Sequence, residues 1–227
     1  GLGDVYKRQE MRKADIDKAP YLYANTPKFE LLESGPAKAA IKVSRQLGVS
    51  KVEQVISLDA GSSCIRVENA VDWRSRRSML KAEFPFVAAA NGADYDLGLG
   101  VIHRGNNNEK LYEVPAQKWA DLTGSDGDFG VSVFSDSKYG YRGQKESLNL
   151  TLINSSVSPD PYPERGIHTI TLWVGAASGD AKEAEDIATG CNHKIFYQPT
   201  NCHHGELPLE DSLVSVSYTH LRAHETS

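Results

Sequence analysis

Cysteine and histidine crowd one stretch near the C-terminal end of this chain, as Cys191-Asn192-His193 and Cys202-His203-His204. Thiolate sulfur and imidazole nitrogen are ligands that zinc favours, and a structural zinc needs about four of them in a tetrahedron. Cys191, His193, Cys202 and His203 form that candidate set. Their spacing does not match the paired Cys-x-x-Cys knuckles of zinc modules, so no metal is expected in this chain. A second constellation is acidic. Asp121, Asp126 and Asp128, with Gly124 and Gly127, imitate a calcium loop. The glutamate that completes an EF-hand is missing, and 121–128 read better as a hairpin loop between Trp119 and Phe129. The third is Asp136-Ser137-Lys138-Tyr139-Gly140-Tyr141, which follows a run rich in Val and Phe. It places a carboxylate, an ammonium and two phenols at a strand end. The structural alternative is a charged turn, with Tyr139 and Tyr141 packing on the sheet. Asn149-Leu150-Thr151 and Asn154-Ser155-Ser156 match the glycosylation sequon. Both lie on or beside a predicted strand and are expected to stay unmodified. Trp73, Trp119 and Trp173 are expected to pack in the core rather than stack on a ligand.

Composition narrows the partners. The formal net charge is −5, which argues against nucleic acid and anionic membrane surfaces. No apolar run approaches the roughly 20 residues needed to span a bilayer. Three cysteines, Cys64, Cys191 and Cys202, do not make a disulfide framework, and the odd count fits a reducing compartment. The chain is long enough for one large domain, or for one domain and part of a second. A homo-oligomer stays open.

The two ends carry a separate signal. Permitted codons for Gly1 to Gln9, read on the complementary strand, spell Val-Ser-Tyr-Thr-His-Leu-Arg-Ala, which is Val216 to Ala223. One DNA duplex therefore encodes both termini, and it resembles a transposase-type sequencing adapter. Residues 1–9 and 216–227 are expected to be adapter-derived tails, outside fold reasoning. The biological insert is then 10–215, with neither end natural.

The elements that must position any site are strands. Apolar and polar residues alternate with period two in Ala39–Arg45, Val52–Leu58, Ser63–Glu68 and Met79–Phe84. The same alternation runs through Tyr95–Val101, Phe129–Phe134, Leu148–Leu152 and His168–Val174. Turn chemistry separates them: Asp59-Ala60-Gly61-Ser62, Asn91-Gly92, Gly105-Asn106-Asn107-Asn108, and the proline-rich Ser158–Pro163. Many short strands joined by Gly, Asn and Pro predict an all-β antiparallel sandwich. Ala181–Ala188, built of good helix formers and followed by Gly190, predicts one short helix. The expected main domain is 10–178. Residues 179–215 would be a linker helix and the start of a small C-terminal β domain.

Several segments, in order, resemble the C-terminal β region of glycoside hydrolase family 38 α-mannosidases of the cytosolic and bacterial type. Glu33-Ser34-Gly35-Pro36-Ala37-Lys38-Ala39 is similar to the family's entry strand, and Val71-Asp72-Trp73 to its Val-Asp-Trp segment. Leu80–Pro85, Glu113–Leu122 and Phe129–Val133 follow at the family's spacing. Asp136-Ser137-Lys138-Tyr139-Gly140-Tyr141 resembles Asp-Cys-Lys-Tyr-Gly-Tyr, with Ser137 where cysteine is usual. Pro159-Asp160-Pro161 and Gly166-x-His168 close the series. His103–Lys110 departs from the family's Arg-Pro-Thr and Asn-Thr-Ser-Trp-Asp pattern.

The resemblance implies a supersandwich of the galactose-mutarotase type. It also implies that the parent protein is a retaining α-mannosidase acting on terminal α-D-mannose of oligosaccharides. Its zinc and nucleophilic aspartate would lie in an N-terminal catalytic domain, with a His-x-Asp pair among the ligands. No His-x-Asp occurs in this sequence, so the chain alone is expected to be inactive and to hold no cofactor. Its partners would be α-mannosides and its own catalytic domain, and its compartment the cytoplasm. Asp136, Lys138, Tyr139 and Tyr141 are the substrate-cleft candidates, because family loops of the β half approach the cleft. A stand-alone carbohydrate-binding module, or a purely structural sandwich, is the competing reading.

Overall fold

The computed structural model describes residues 26–86, 90–108, 110–123, 130–156, 160, 163–177, 180–193, 196–199, 201 and 205. The chain divides into two compact units, Gly1–Asn192 and His193–Ser227. Nearly all the described structure belongs to the first.

Thirteen strands and one helix are described, in the order β1 (Lys28–Ser34), β2 (Lys38–Leu47), β3 (Ser50–Asp59), β4 (Cys64–Trp73), β5 (Met79–Pro85), β6 (Gly92–Asp96) and β7 (Val101–Gly105). There follow β8 (Val114–Pro115), β9 (Trp119–Thr123), β10 (Gly130–Ser135), β11 (Gly140–Gln144), β12 (Ser147–Asn154), β13 (Gly166–Ala177) and α1 (Ala181–Asn192). A nine-stranded sheet runs β1-β2-β3-β4-β13-β10-β9-β6-β7, and a four-stranded sheet runs β5-β12-β11-β8. Every pairing is antiparallel. The expected all-β antiparallel architecture with one helix is the one observed.

Side chains on a strand alternate between faces, so each sheet can present an apolar face to the other. Val71, Trp73, Tyr95, Ile170 and Leu172 of the large sheet meet Tyr141, Leu148, Leu150 and Ile153 of the small one in a single core. A second cluster lies on the large sheet, where Trp119, Phe134 and Cys64 pack against Ala184 and Ala188 of α1. Those two alanines are four residues apart, which puts them on one helix face. Trp173 packs against this second cluster, while Trp73 is buried between the sheets.

Two local expectations are corrected. Tyr95–Val101 was read as one strand, but it is the junction of β6 and β7. Gly98 takes a positive φ of 83°, Leu97 N–H donates to Gly100 O at 2.8 Å, and Asp96 Oδ1 accepts Gly98 N–H at 2.6 Å. Leu97 and Leu99 mimic the alternation of a strand while sitting exposed in a turn. The helix also runs past Gly190 to Asn192. Asn192 Nδ2 donates to Ala188 O at 3.0 Å, satisfying a carbonyl of the last turn, so a glycine stop is not needed. At the other end Asp180 acts as the N-cap, with Oδ1 accepting Lys182 N–H at 2.9 Å.

Candidate functional site

The segment singled out for its charge and phenols forms the connection from β10 to β11. Ser135, buried at the end of β10, accepts two main-chain donors on its Oγ, Lys138 N–H at 2.9 Å and Ser137 N–H at 3.3 Å. This turn motif needs a short hydroxyl side chain. Asp136 ties the turn to β13, its Oδ2 accepting Thr171 N–H at 2.9 Å, while Oδ1 accepts the Ser137 hydroxyl at 2.7 Å. Tyr139 closes the turn through its carbonyl, which accepts Ala116 N–H at 3.0 Å, and its side chain is 61% exposed. Lys138 is half-buried and Asp136 is exposed.

Tyr141 does not join them. Its ring is fully buried in the core between the sheets, and burial, with Asp96 adding to it, pushes its phenol pKa well up. The phenol oxygen has no hydrogen-bond partner among the described residues. A side chain so placed has no surface to offer a sugar, and the candidate wall narrows to Asp136, Lys138 and Tyr139.

Beside this turn lies a polar cluster that the sequence did not reveal. Lys81 on β5 is ion-paired with Glu113, and Thr151 on β12 donates its hydroxyl to the same Glu113 Oε1 at 2.6 Å. The Lys81 ammonium lies 4.5 Å from the centre of the Tyr112 ring, and the Arg142 guanidinium 4.4 Å from it. Contacts of this kind are cation–π attractions. A Cβ on Gly140 would come 3.3 Å from Glu113 Oε2, so glycine there allows the turn and the cluster to approach. Lys81 and Glu113 are far in sequence from the β11–β12 hairpin that carries Arg142 and Thr151, and the pairing of β5 with β12, β12 with β11 and β11 with β8 brings the four together.

The divergent His103–Lys110 segment is also structured where it is described. His103 Nδ1 lies 2.7 Å from Asp94 Oδ1 across the β6–β7 pair. Asn107 is buried and reaches inward: its Oδ1 accepts Gly143 N–H at 2.8 Å, and its Nδ2 donates to Leu111 O at 2.8 Å. Burial is the first influence on the neighbouring Tyr95 phenol and raises its pKa.

Of the metal candidates, Cys191 lies near the end of α1, where its titration is linked to that of Cys64. Cys202 and His203 lie outside the described residues, as do Asp126 and Asp128 of the acidic loop. Among the described residues no three His, Cys, Asp or Glu side chains converge to hold a metal ion. Asp121, the described member of the acidic loop, is buried and accepts the hydroxyls of Ser132 at 2.6 Å and Thr123 at 2.5 Å. Asn149 of the first sequon is buried on β12, with its amide turned to Gln144 and Ser147.

Known proteins resemble this chain in sequence and in fold. The profile of the family described as "Glycosyl hydrolases family 38 C-terminal domain" matches residues 8–162. "Alpha-mannosidase G" of Dictyostelium discoideum is 30% identical over 183 residues, covering 75% of this chain and 17% of that protein. "Alpha-mannosidase" of Saccharomyces cerevisiae is 27% identical over 220 residues, covering 87% of this chain and 19% of that protein. The chain thus spans under a fifth of the length of these relatives. An α-mannosidase crystal structure from Enterococcus faecalis V583 superposes with a TM-score of 0.67 at 15% identity, over 80% of this chain and 26% of that one. The two-sheet fold, the ordered segments and the family match lead to one assignment: this chain belongs to the C-terminal domain family of the family 38 glycosyl hydrolases.

Proposed function

We propose that this chain is the non-catalytic C-terminal β region of a retaining α-mannosidase that removes terminal α-D-mannose from oligosaccharides. The family match over residues 8–162 carries the reading. The relatives named as α-mannosidases, of which this chain spans a small part, support it. Retaining hydrolysis generally needs two carboxylates roughly 5 Å apart across the scissile bond. The nucleophile and the zinc are assigned to a catalytic domain elsewhere in the parent protein, and the chain alone is inactive. The parent works in the cytoplasm.

In the parent, this sandwich supports the catalytic domain and lines one wall of the mannoside cleft with Asp136, Lys138 and Tyr139. The exposed Tyr139 ring supplies an apolar face for a pyranose and a hydroxyl for its oxygens. Asp136 fixes the turn through β13 and leaves the Lys138 and Tyr139 side chains to meet the substrate.

The test is to recover the reading frame that flanks this chain in its source DNA and express the parent beside the present chain. The parent should cleave an aryl α-mannoside and the chain alone should not. Hydrolysis by the chain alone would remove the non-catalytic role. A parent inert towards α-mannosides would remove the assigned reaction.

A further inference from the structure

Cys64 opens β4, opposite Gly175 of β13 in the strand register. A Cβ on Gly175 would come 2.6 Å from Cys64 Sγ, so the sulfur occupies the space that this glycine leaves open. From the other side Cys64 packs against Ala184 and Ala188 of α1. Cys191 lies three residues after Ala188, on the stripe of the helix that faces the sheet. The two thiols are close enough for each to shift the titration of the other. Both are free; Cys64 is buried and Cys191 half-buried.

We propose that Cys64 and Cys191 are a redox-active dithiol, a modification site that a low-molecular-weight disulfide such as oxidised glutathione converts to an intramolecular disulfide joining α1 to β4.

Thiol–disulfide exchange requires a thiolate. The neighbouring Cys191 thiol lowers the Cys64 pKa to about 7, against the opposing effect of burial, and the Cys191 pKa is raised in turn by Cys64. The pair therefore shares one proton near neutral pH, and its titration belongs to both sulfurs together. The shared proton rests mainly on Cys191; in the minor state with the proton on Cys64, the accessible Cys191 thiolate attacks one sulfur of oxidised glutathione. A Cys191–glutathione bond forms, the glutathione S–S bond breaks, and one glutathione thiolate leaves. The Cys64 proton passes to solvent, and the Cys64 thiolate attacks the Cys191 sulfur. The protein disulfide forms and the second glutathione thiolate leaves. The protein loses two electrons and two protons; the oxidant gains both as two molecules of reduced glutathione.

The bond would fasten the helix that Lys118 and Trp119 already hold through Glu185. Cross-linking residues distant in sequence restricts the unfolded chain most. Oxidation should therefore raise the melting temperature by several degrees, and dithiothreitol should return it.

The full chain is incubated with oxidised glutathione, alkylated, and mapped without reduction, alongside the C202S, C64S and G175A variants. The proposal expects a mass loss of two hydrogens and a peptide linking Cys64 to Cys191, in the wild type and in C202S alike. In C64S the Cys191–glutathione adduct should persist, because no second thiol resolves it. G175A, which crowds the Cys64 sulfur, should form the link at least several-fold more slowly. The proposal is overturned if Cys64 and Cys191 both remain alkylatable after oxidation. A link that runs to Cys202, or a stable glutathione adduct on the wild-type chain, overturns it equally.

Discussion

The indole N–H of Trp119 donates to Glu185 Oε2 at 3.1 Å, so one carboxylate on α1 is held by a side chain at the start of β9. Its Oε1 is taken by the Lys118 ammonium. Burial alone would raise the Glu185 pKa, but the hydrogen bonds from Lys118 and Trp119 and the Lys118 charge outweigh it and hold the carboxyl below its ordinary range. A carboxyl depressed on folding adds stability above its unfolded pKa of about 4.3 and loses it as pH falls through the lower folded value. The pair is partly exposed, and screening limits it to roughly 0.5–1 kcal/mol. E185Q should therefore melt about 1–4 °C lower than wild type at pH 7. The difference should fade as pH falls below about 4, as thermal unfolding followed by circular dichroism at several pH values would report.

Gly143 is a close approach of a different kind. A Cβ there would come 2.5 Å from the Tyr95 hydroxyl and 3.2 Å from Ala93 Cβ, in the middle of the core. Overpacking of this sort costs about 1–3 kcal/mol. G143A should be destabilised by that amount in urea unfolding. Y95F removes the obstructing oxygen, so the G143A/Y95F pair should cost about 0.5–2 kcal/mol less than the sum of the single variants. Strict additivity would mean that the backbone, not the hydroxyl, sets the constraint.

The strands read from alternation were those in which apolar and polar residue types alternate. β2, β3, β4, β5, β10, β12 and β13 all match a predicted run, in β10 and β12 even though the alternating polar residues Ser132 and Asn149 are themselves buried. β9 was missed because Trp119-Ala120-Asp121-Leu122 is buried on both faces, under α1 on one side and the small sheet on the other. β8 and β11 are too short, or too rich in glycine, to show a period. The same physics limits the site. The turn at Asp136–Tyr139 was legible, since charge after a buried strand marks an end. Tyr141 was not, because a phenol reads alike on either face until register decides: Tyr141 pairs with Leu150, deep in the core. The Lys81–Glu113–Tyr112–Arg142 cluster is a product of register alone, and no local pattern announces it.

Trp73 and Ser155 test the inter-sheet core. Both are buried, and the Trp73 indole N–H donates to Ser155 Oγ at 2.5 Å. W73F removes the donor and leaves the buried hydroxyl without it, at a cost of about 1–3 kcal/mol. S155A strands the indole N–H and should cost about the same. In a double-mutant cycle the W73F/S155A combination should cost at least about 0.5 kcal/mol less than the sum. Full additivity would show that packing around Trp73, rather than this bond, is what the core requires.

The proposed cleft wall makes a prediction that stability cannot imitate. Tyr139 is 61% exposed and makes its ordering contact through its carbonyl, so Y139A should leave the melting temperature of the parent enzyme within about 1–2 °C of wild type, as surface substitutions do. If Tyr139 meets the sugar, Y139A should raise KM for an aryl α-mannoside about 5–30-fold, the equivalent of roughly 1–2 kcal/mol of lost stacking and hydrogen bonding. K138A should weaken kcat/KM by a comparable factor. Y141F, which changes only a buried hydroxyl without a described partner, should alter neither constant. Steady-state kinetics on the three variants separate the outcomes. If Y139A and K138A both keep wild-type kinetics, the turn is a structural link between β10 and β11 and the sugar contacts lie elsewhere. A loss confined to kcat would instead place the turn against the reacting bond, because only contacts made in the transition state lower kcat without raising KM.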